Sequence, residues 1–310
     1  MRPAFLCPQK RLHRLERIVV GHDLGSGGAA AFDSALVLAR RCDALIRLVH
    51  VVEPHHRCER GAPGNGHDKV ETRVQKSGAQ LEEIVGRKFD CRNRIEYDVR
   101  VGQPFYELIL AACAWRADLV VVGGPDREAV HLFGSSAERL ARKAPTPVLV
   151  THKRLSSVAK RFMVPIDFSS GARRAAEAGF HFARSFGGQV FLFHALNPTP
   201  WYSYPCDDQS FGLMTIPEIS PDDIEGDWAT FLRDLTPGAV PWQRRTEEGR
   251  PAETIVKYAE EIGADLIAMG THGRTGLEYM LLGSVAESVV RRASCPVLVV
   301  QPEGLRFTLL

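Results

Sequence analysis

The feature that most constrains this chain is that it is written twice. RIVVGHDLG at 17–25 returns as RFMVPIDFS at 161–169, and LIRLVHVV at 45–52 returns as QVFLFHAL at 189–196. RVGQPFYELILAACAWRADLVVVGG at 100–124 returns as EEGRPAETIVKYAEEIGADLIAMG at 247–270, and FGSSAERLARKAPTPVLV at 133–150 as LGSVAESVVRRASCPVLV at 282–299. The offset grows from 144 residues (Asp23 to Asp167) to 147 (Asp118 to Asp265) and 149 (Gly134 to Gly283), gaps that belong in loops. Such a period is far longer than the roughly 20–50 residues of a solenoid unit. The 310 residues therefore divide into two copies of one domain. We expect a loose arm over 1–15, a first domain over 16–153 and a second over 160–303.

Each copy alternates strands with helices. In the second copy short apolar runs near 161–167, 189–195, 241–247, 264–270 and 296–301 predict strands. They lack strict alternation, as strands covered on both faces do. Between them, 171–186 aligns Ala172, Ala176, Phe180 and Ala183 at helical spacing. A helix over 251–262 opens on Pro251, the favoured first helical position, and aligns Ile255, Ala259 and Ile262. A third over 284–293 stripes Val285, Val289 and Ala293, and places Arg291 and Arg292 in the last turn, where cations suit the helix dipole. Strand–helix alternation implies a doubly wound α/β domain with a parallel sheet and helices on both faces. Ligands in such sheets bind beyond the carboxyl ends of the strands, near the switch in strand order.

Composition removes several classes. A net charge of +2, with no long basic stripe, argues against nucleic acid as a partner. No apolar run reaches the length of a membrane span, since Leu108 to Trp115 is stopped by Arg116. The basic N-terminus lacks the long apolar core of a secretory signal. Seven cysteines, odd in number and irregularly spaced with no CxxC, read as reduced thiols in a cytoplasm.

The stretch GTHGRTGLEYMLLGSVAESV, 270–289, places glycine and hydroxyl between an apolar strand and a helix. Glycine lets main-chain amides approach an anion with no Cβ in the way. A helix N-terminus adds unpaired N–H groups and partial positive charge. Ser284 reads as an N-cap whose hydroxyl also suits phosphate, and Arg274 adds a full charge. Taken singly, these residues are turn glycines and a capping serine; taken together they form an anion cradle.

Gly270, Gly273, Gly283 and Ser284 match G-x2-G-x9-G-[ST] without a gap. With RTGLEYMLLGSVAESVVRRASCPVLVV around them, the chain resembles the universal stress protein family across both halves. The resemblance implies five parallel strands per domain in the order 3-2-1-4-5, with ATP, and Mg as a companion ion, at the strand ends. Carried over by position, Pro165, Ile166 and Asp167 line the adenosine and Ala195 faces the base through its backbone. Met269 and Gly270 flank ribose and α-phosphate, and Gly273, Gly283, Ser284 and Val285 wrap the phosphates. For Asp167 a second reading stays open: a carboxylate that caps helix 171–186 through Ser169 or Ser170.

The first copy departs from the pattern. Gly123 keeps the first glycine, but Asp126 replaces the second, and seven residues rather than nine precede Gly134 and Ser135. A carboxylate where phosphate should sit is repulsive, and Arg127 offsets this in part. The expectation is a retained fold with triphosphate binding lost or much weakened. Asp23 remains there, which leaves room for a smaller or uncharged ligand. The same copy carries a decoy: Gly25, Gly27 and Ala30 spell G-x-G-x-x-A, with Glu53 after the second strand. The glycines start beyond Asp23 rather than at the strand end, and SSGARRA in the second copy has no match, so we set a dinucleotide reading aside. No Walker A sequence occurs.

His55, His56, Cys58 and His67 suit zinc by type, yet their spacing fits no closed module. His50 and His194 end the same strand in both copies, which inheritance of a packing role explains. The proline- and aromatic-rich segment 197–221, with Trp201, Tyr202 and Tyr204, reads as a lid, a partner surface or a loop packed on its own domain. The last strands, PVLV and PVLVV, start at Pro147 and Pro296 and lie at sheet edges that invite pairing. Members of the family the chain resembles dimerise through this strand, so the resemblance implies that the two copies pair within one chain as a pseudo-dimer, and a homodimer of whole chains stays open. The leading functional expectation is a nucleotide-dependent stress-response sensor or regulator with an unknown protein partner, a binding protein rather than an enzyme. The alternatives are slow ATP hydrolysis or adenylyl transfer, with His272 as the tempting acid/base group, and a nucleotide-free scaffold.

Overall fold

A computed structural model describes residues 14–54, 66–88, 94–124, 136–197, 221–271 and 282–302. The first domain runs β1 (Arg17–Gly21), α1 (Ser26–Cys42), β2 (Leu45–Val52), α2 (Gly66–Lys88), β3 (Ile95–Val101), α3 (Pro104–Trp115), β4 (Leu119–Gly123), α4 (Ser136–Lys143) and β5 (Val148–Thr151). The second repeats it as β6 (Arg161–Pro165), α5 (Ser170–Phe186), β7 (Gln189–Leu196), α6 (Pro221–Arg233), β8 (Trp242–Glu248), α7 (Pro251–Glu261), β9 (Leu266–Gly270), α8 (Ser284–Arg292) and β10 (Val297–Val300).

The sheet order is β3-β2-β1-β4-β5-β10-β9-β6-β7-β8. Each half keeps the 3-2-1-4-5 order with parallel pairs, and the halves meet at an antiparallel pair, with Val297 opposite Val150 and Val299 opposite Val148. An edge strand leaves a row of N–H and C=O groups unpaired. Pairing β5 with β10 satisfies both rows and buries every residue of both strands. The pairing within one chain anticipated from the last strands is thus present, and it makes one ten-stranded sheet.

Two apolar clusters cover the two faces. One packs α1 and α5 with Phe32, Phe180 and Trp228; the other packs α3, α4, α7 and α8 with Leu108, Leu140, Ile255 and Val289. Ala172, Ala176, Phe180 and Ala183 are all buried, as the helical spacing predicts. Leu15, at the end of the segment read as a loose arm, is also buried, so packing of the first domain extends at least to that residue.

Helix α6 is absent from the sequence-based assignment. Its signals are present: Asp222 and Asp223 in the first turn, and Ile224, Trp228 and Phe231 at i, i+4 and i+7. Of the segment 197–221 only its two ends, Asn197 and Pro221, fall within the described residues.

Two aspartates at matching positions of the repeat hold the strand starts. Asp118 Oδ2 accepts from the amides of Glu16 and Arg17 at 2.9 Å each. Asp265 Oδ2 accepts from those of Lys160 (2.8 Å) and Arg161 (2.9 Å). These carboxylates anchor β1 and β6 and so fix the height at which the strands end.

Candidate functional site

The carboxyl ends of β6 and β9 flank a cavity of 320 Å³ in the second domain. Its lining includes Pro165, Ile166, Asp167, Ala195, Met269, Gly270, Gly283, Ser284 and Val285, which the structure brings together from four separate segments. Gly273 and Arg274 lie outside the described residues, as does His272. Phe193 adds an aromatic wall, held by stacking on Tyr258 with centroids 4.5 Å apart. At the base of the glycine loop the Gly283 amide donates to the Thr271 carbonyl at 2.7 Å, so both ends of that loop start from one point.

One sequence reading changes here, that of Ser284, and those of Gly270 and Asp167 become more definite. Ser284 is not the N-cap: Gly283 takes that position, and Ser284 is the first helical residue, exposed at the cavity rim. The reason is the extended backbone at Gly283 (φ −57°, ψ 145°), which already turns the chain into the helix.

Gly270 has a packing reason besides any ligand. A Cβ there would stand 3.0 Å from the main-chain carbon of Gly171, at the start of α5. Gly123 in the first domain is tighter, with a Cβ only 2.7 Å from the carbon of Gly27. The backbone of Gly27, one of the decoy glycines, is thus the surface against which Gly123 packs, while a Cβ on Gly27 itself would meet Gly123 Cα only at 3.7 Å. We expect Gly123→Ala to destabilise the first domain by about 1–3 kcal/mol, the usual cost of overpacking, and Gly270→Ala to cost less. Chemical denaturation checks this, and a reversed order would contradict the geometry.

Asp167, for which two roles stood open, has the structural one. Its Oδ1 accepts from the Ser169 hydroxyl at 2.6 Å and amide at 3.0 Å, while Ser169 Oγ accepts from the Ala172 amide at 3.1 Å and caps α5. Asp167 lines the cavity as well, so the capping role does not remove it from the site. In the first domain Asp23 Oδ1 takes the amides of Gly25 (2.8 Å) and Gly28 (2.9 Å) directly.

The residue after each aspartate, Leu24 or Phe168, has φ of 63°, a left-handed conformation uncommon for a bulky side chain. Phe168 is held there by His194 at 4.6 Å and Trp228 at 5.1 Å between centroids. His50 and His194 share one task, donating from Nδ1 to the carbonyls of His22 and Ile166 at 2.7 Å. They fix the chain as it leaves the first strand, which is the packing role inferred from the repeat.

The first domain has its own cavity of 590 Å³, lined by Asp23, His50, Glu53, Arg73, Gly123, Gly124 and Ser136 among others. It is more charged than its counterpart, because Arg73 reaches over from α2 to the Glu53 carbonyl at 2.9 Å. Buried His22 stands where the second domain has Ile166. Burial lowers its imidazole below the ordinary value, with Asp23 opposing and His50 adding to the shift. Asp126 and Arg127 lie outside the described residues, and so do the side chains of His55, His56, Cys58 and His67. Among the described residues no cluster of metal-ligating side chains occurs, and no helix is long and apolar enough to cross a membrane.

Fold and site together define a class: a tandem α/β protein with a ligand-sized cavity at the strand ends of each half. The sequence profile of the universal stress protein family matches residues 14–152 and again 159–301. The chain belongs to that family. It is 36% identical over 146 residues to a universal stress protein of Methanocaldococcus jannaschii, covering 46% of this chain and 82% of the relative. A universal stress protein of Mycolicibacterium smegmatis is 27% identical over 308 residues, covering 92% of this chain and 97% of the relative. Among solved structures, a universal stress protein of Archaeoglobus fulgidus shares the fold with a TM-score of 0.67 at 21% identity, over 93% of this chain and 97% of the other.

Proposed function

We propose that the second domain is an adenine-nucleotide receptor that binds ATP, and that the protein is a nucleotide-dependent regulator of the stress response. The observation that carries this reading is the convergence of Gly270, Gly283 and Ser284 on one cavity, with the ends of the glycine loop joined through Thr271. In this reading Pro165, Ile166, Asp167 and Ala195 take the nucleoside. Phe193 and Met269 give it an apolar wall. The phosphates lie against the amides at the start of α8, with Gly273 and Arg274 completing the cradle and Mg accompanying the phosphates. A volume of 320 Å³ is at the small end of the roughly 300–1,000 Å³ of ligand pockets.

Binding rather than turnover is favoured by the lining itself. Asp167 is the one carboxylate among the described residues around the cavity, and its Oδ1 is engaged with Ser169. A cytoplasmic setting belongs to the same reading, supported by Cys42 and Cys295, which form no disulfide among the described residues. A homodimer of whole chains remains part of the proposal, as does a protein partner.

Native mass spectrometry of the purified chain with millimolar ATP is expected to show one adenylate per chain. Two would refute the loss assigned to the first domain. None would end the nucleotide reading.

A further inference from the structure

The two cavities are joined by polar contacts that cross the domain boundary. Helix α4 opens beside the first cavity, which Ser136 and Ala137 line; α8 opens beside the second, which Ser284, Val285 and Ala286 line. The first turn of α4, which holds Glu138, meets the last turn of α8, which holds Arg291. Glu138, with its side chain only 2% exposed, accepts from Arg291 Nε at 2.6 Å, and Arg291 Nη2 also reaches Glu287 at 3.0 Å. His152 Nε2 donates to the Val290 carbonyl at 2.5 Å. Its repeat mate Gln301 donates from Nε2 to the Ala141 carbonyl at 2.8 Å.

Two points make this more than adhesion. The main-chain pairing of β5 with β10 and the apolar clusters already hold the halves together. A buried ion pair adds little net stability compared with an apolar substitute, but it fixes a relative position, because misplacement leaves a charge uncompensated. The junction is also one-sided. Both carboxylates converge on Arg291, while Nε of its repeat mate Arg142 is buried without a hydrogen-bond partner among the described residues. The other edge of the His152 ring packs on Gly124, which lines the first cavity: a Cβ on Gly124 would stand 2.4 Å from His152 Nδ1.

We propose that Glu138 and His152, residues of the first domain, are positioning residues for the nucleotide site of the second. They grip the last turn of α8 at Val290 and Arg291, and the first turn of that helix borders the site. Ligand that seats α8 is then felt in α4 and at Gly124, both in the wall of the first cavity. The proposal rests on the nucleotide reading above, and reciprocity between linked sites makes the grip act on affinity as well.

Hydrogen exchange on the full chain, with and without ATP, tests it. In the wild type ATP is expected to slow exchange in both α8 and α4. Glu138→Gln keeps the slowing in α8, loses it in α4, and weakens ATP binding by about 5-fold, the low end for coupled sites. His152→Ala does the same, and His152→Gln, which copies Gln301, restores the coupling; a purely structural histidine would show no such rescue. Slowing confined to α8 in the wild type, or unchanged affinity in Glu138→Gln and His152→Ala, overturns the proposal. Slowing in neither helix overturns the nucleotide reading and the proposal with it.

Discussion

Trp228→Ala is expected to remove about 3–5 kcal/mol of stability from the second domain, the range for truncating a large buried aromatic. Trp228 is 1% exposed and is among the largest fully buried side chains. Its ring meets Phe168, Phe231 and His194 edge-on, and its Nε1 donates to Thr246 at 3.1 Å. Truncation leaves a cavity between α6, β7, β8 and Phe168. At about 2–4 °C per kcal/mol for a domain of this size, the melting temperature falls by roughly 10 °C. The effect extends to the site, because Trp228 helps hold Phe168 in its left-handed conformation beside Asp167. ATP should therefore bind more weakly to whatever folded protein remains. A loss under about 1 kcal/mol would mean that α6 does not close this face of the domain.

Gly273→Asp is expected to abolish stabilisation by ATP while leaving the unliganded melting temperature unchanged. At 100 times the dissociation constant a ligand stabilises its folded form by about 2.7 kcal/mol, and this variant should lose all of it. The substitution copies Asp126, which occupies the matching position of the first copy. A carboxylate brought among phosphates in a poorly hydrated site costs several kcal/mol, enough to cancel the binding energy. A thermal-shift titration with ATP and AMP makes the comparison, and a retained ATP shift would refute the account given for the first domain.

Much of the fold was legible because the chain states it twice. The matched runs around Asp23 and Asp167, and around Asp118 and Asp265, separate real elements from chance apolar stretches. The resemblance puts the apolar last strands at sheet edges, which invite pairing, and β5 and β10 pair with each other. Helix α6 went unread because it follows a long segment rich in proline and aromatics, and its apolar positions are few. The glycine motif was legible as a pattern, but part of its cause was not. Gly270 and Gly123 are glycine partly because a helix start crosses a strand end, a contact between residues about a hundred apart in the chain.

The sequence by itself determined two doubly wound domains and their strand ends, and the resemblance of its glycine motif to a known family supplied the residues expected at the mouth of the second. Periodicity and turn chemistry are local, so they survive in one dimension. Only the tertiary structure decided which groups cross between the copies. The approach of Glu138 to Arg291, of His152 to Val290 and of Gln301 to Ala141 joins residues more than 130 positions apart. Those pairs exist because two edge strands paired antiparallel and brought the first turn of α4 beside the last turn of α8, which no local pattern encodes.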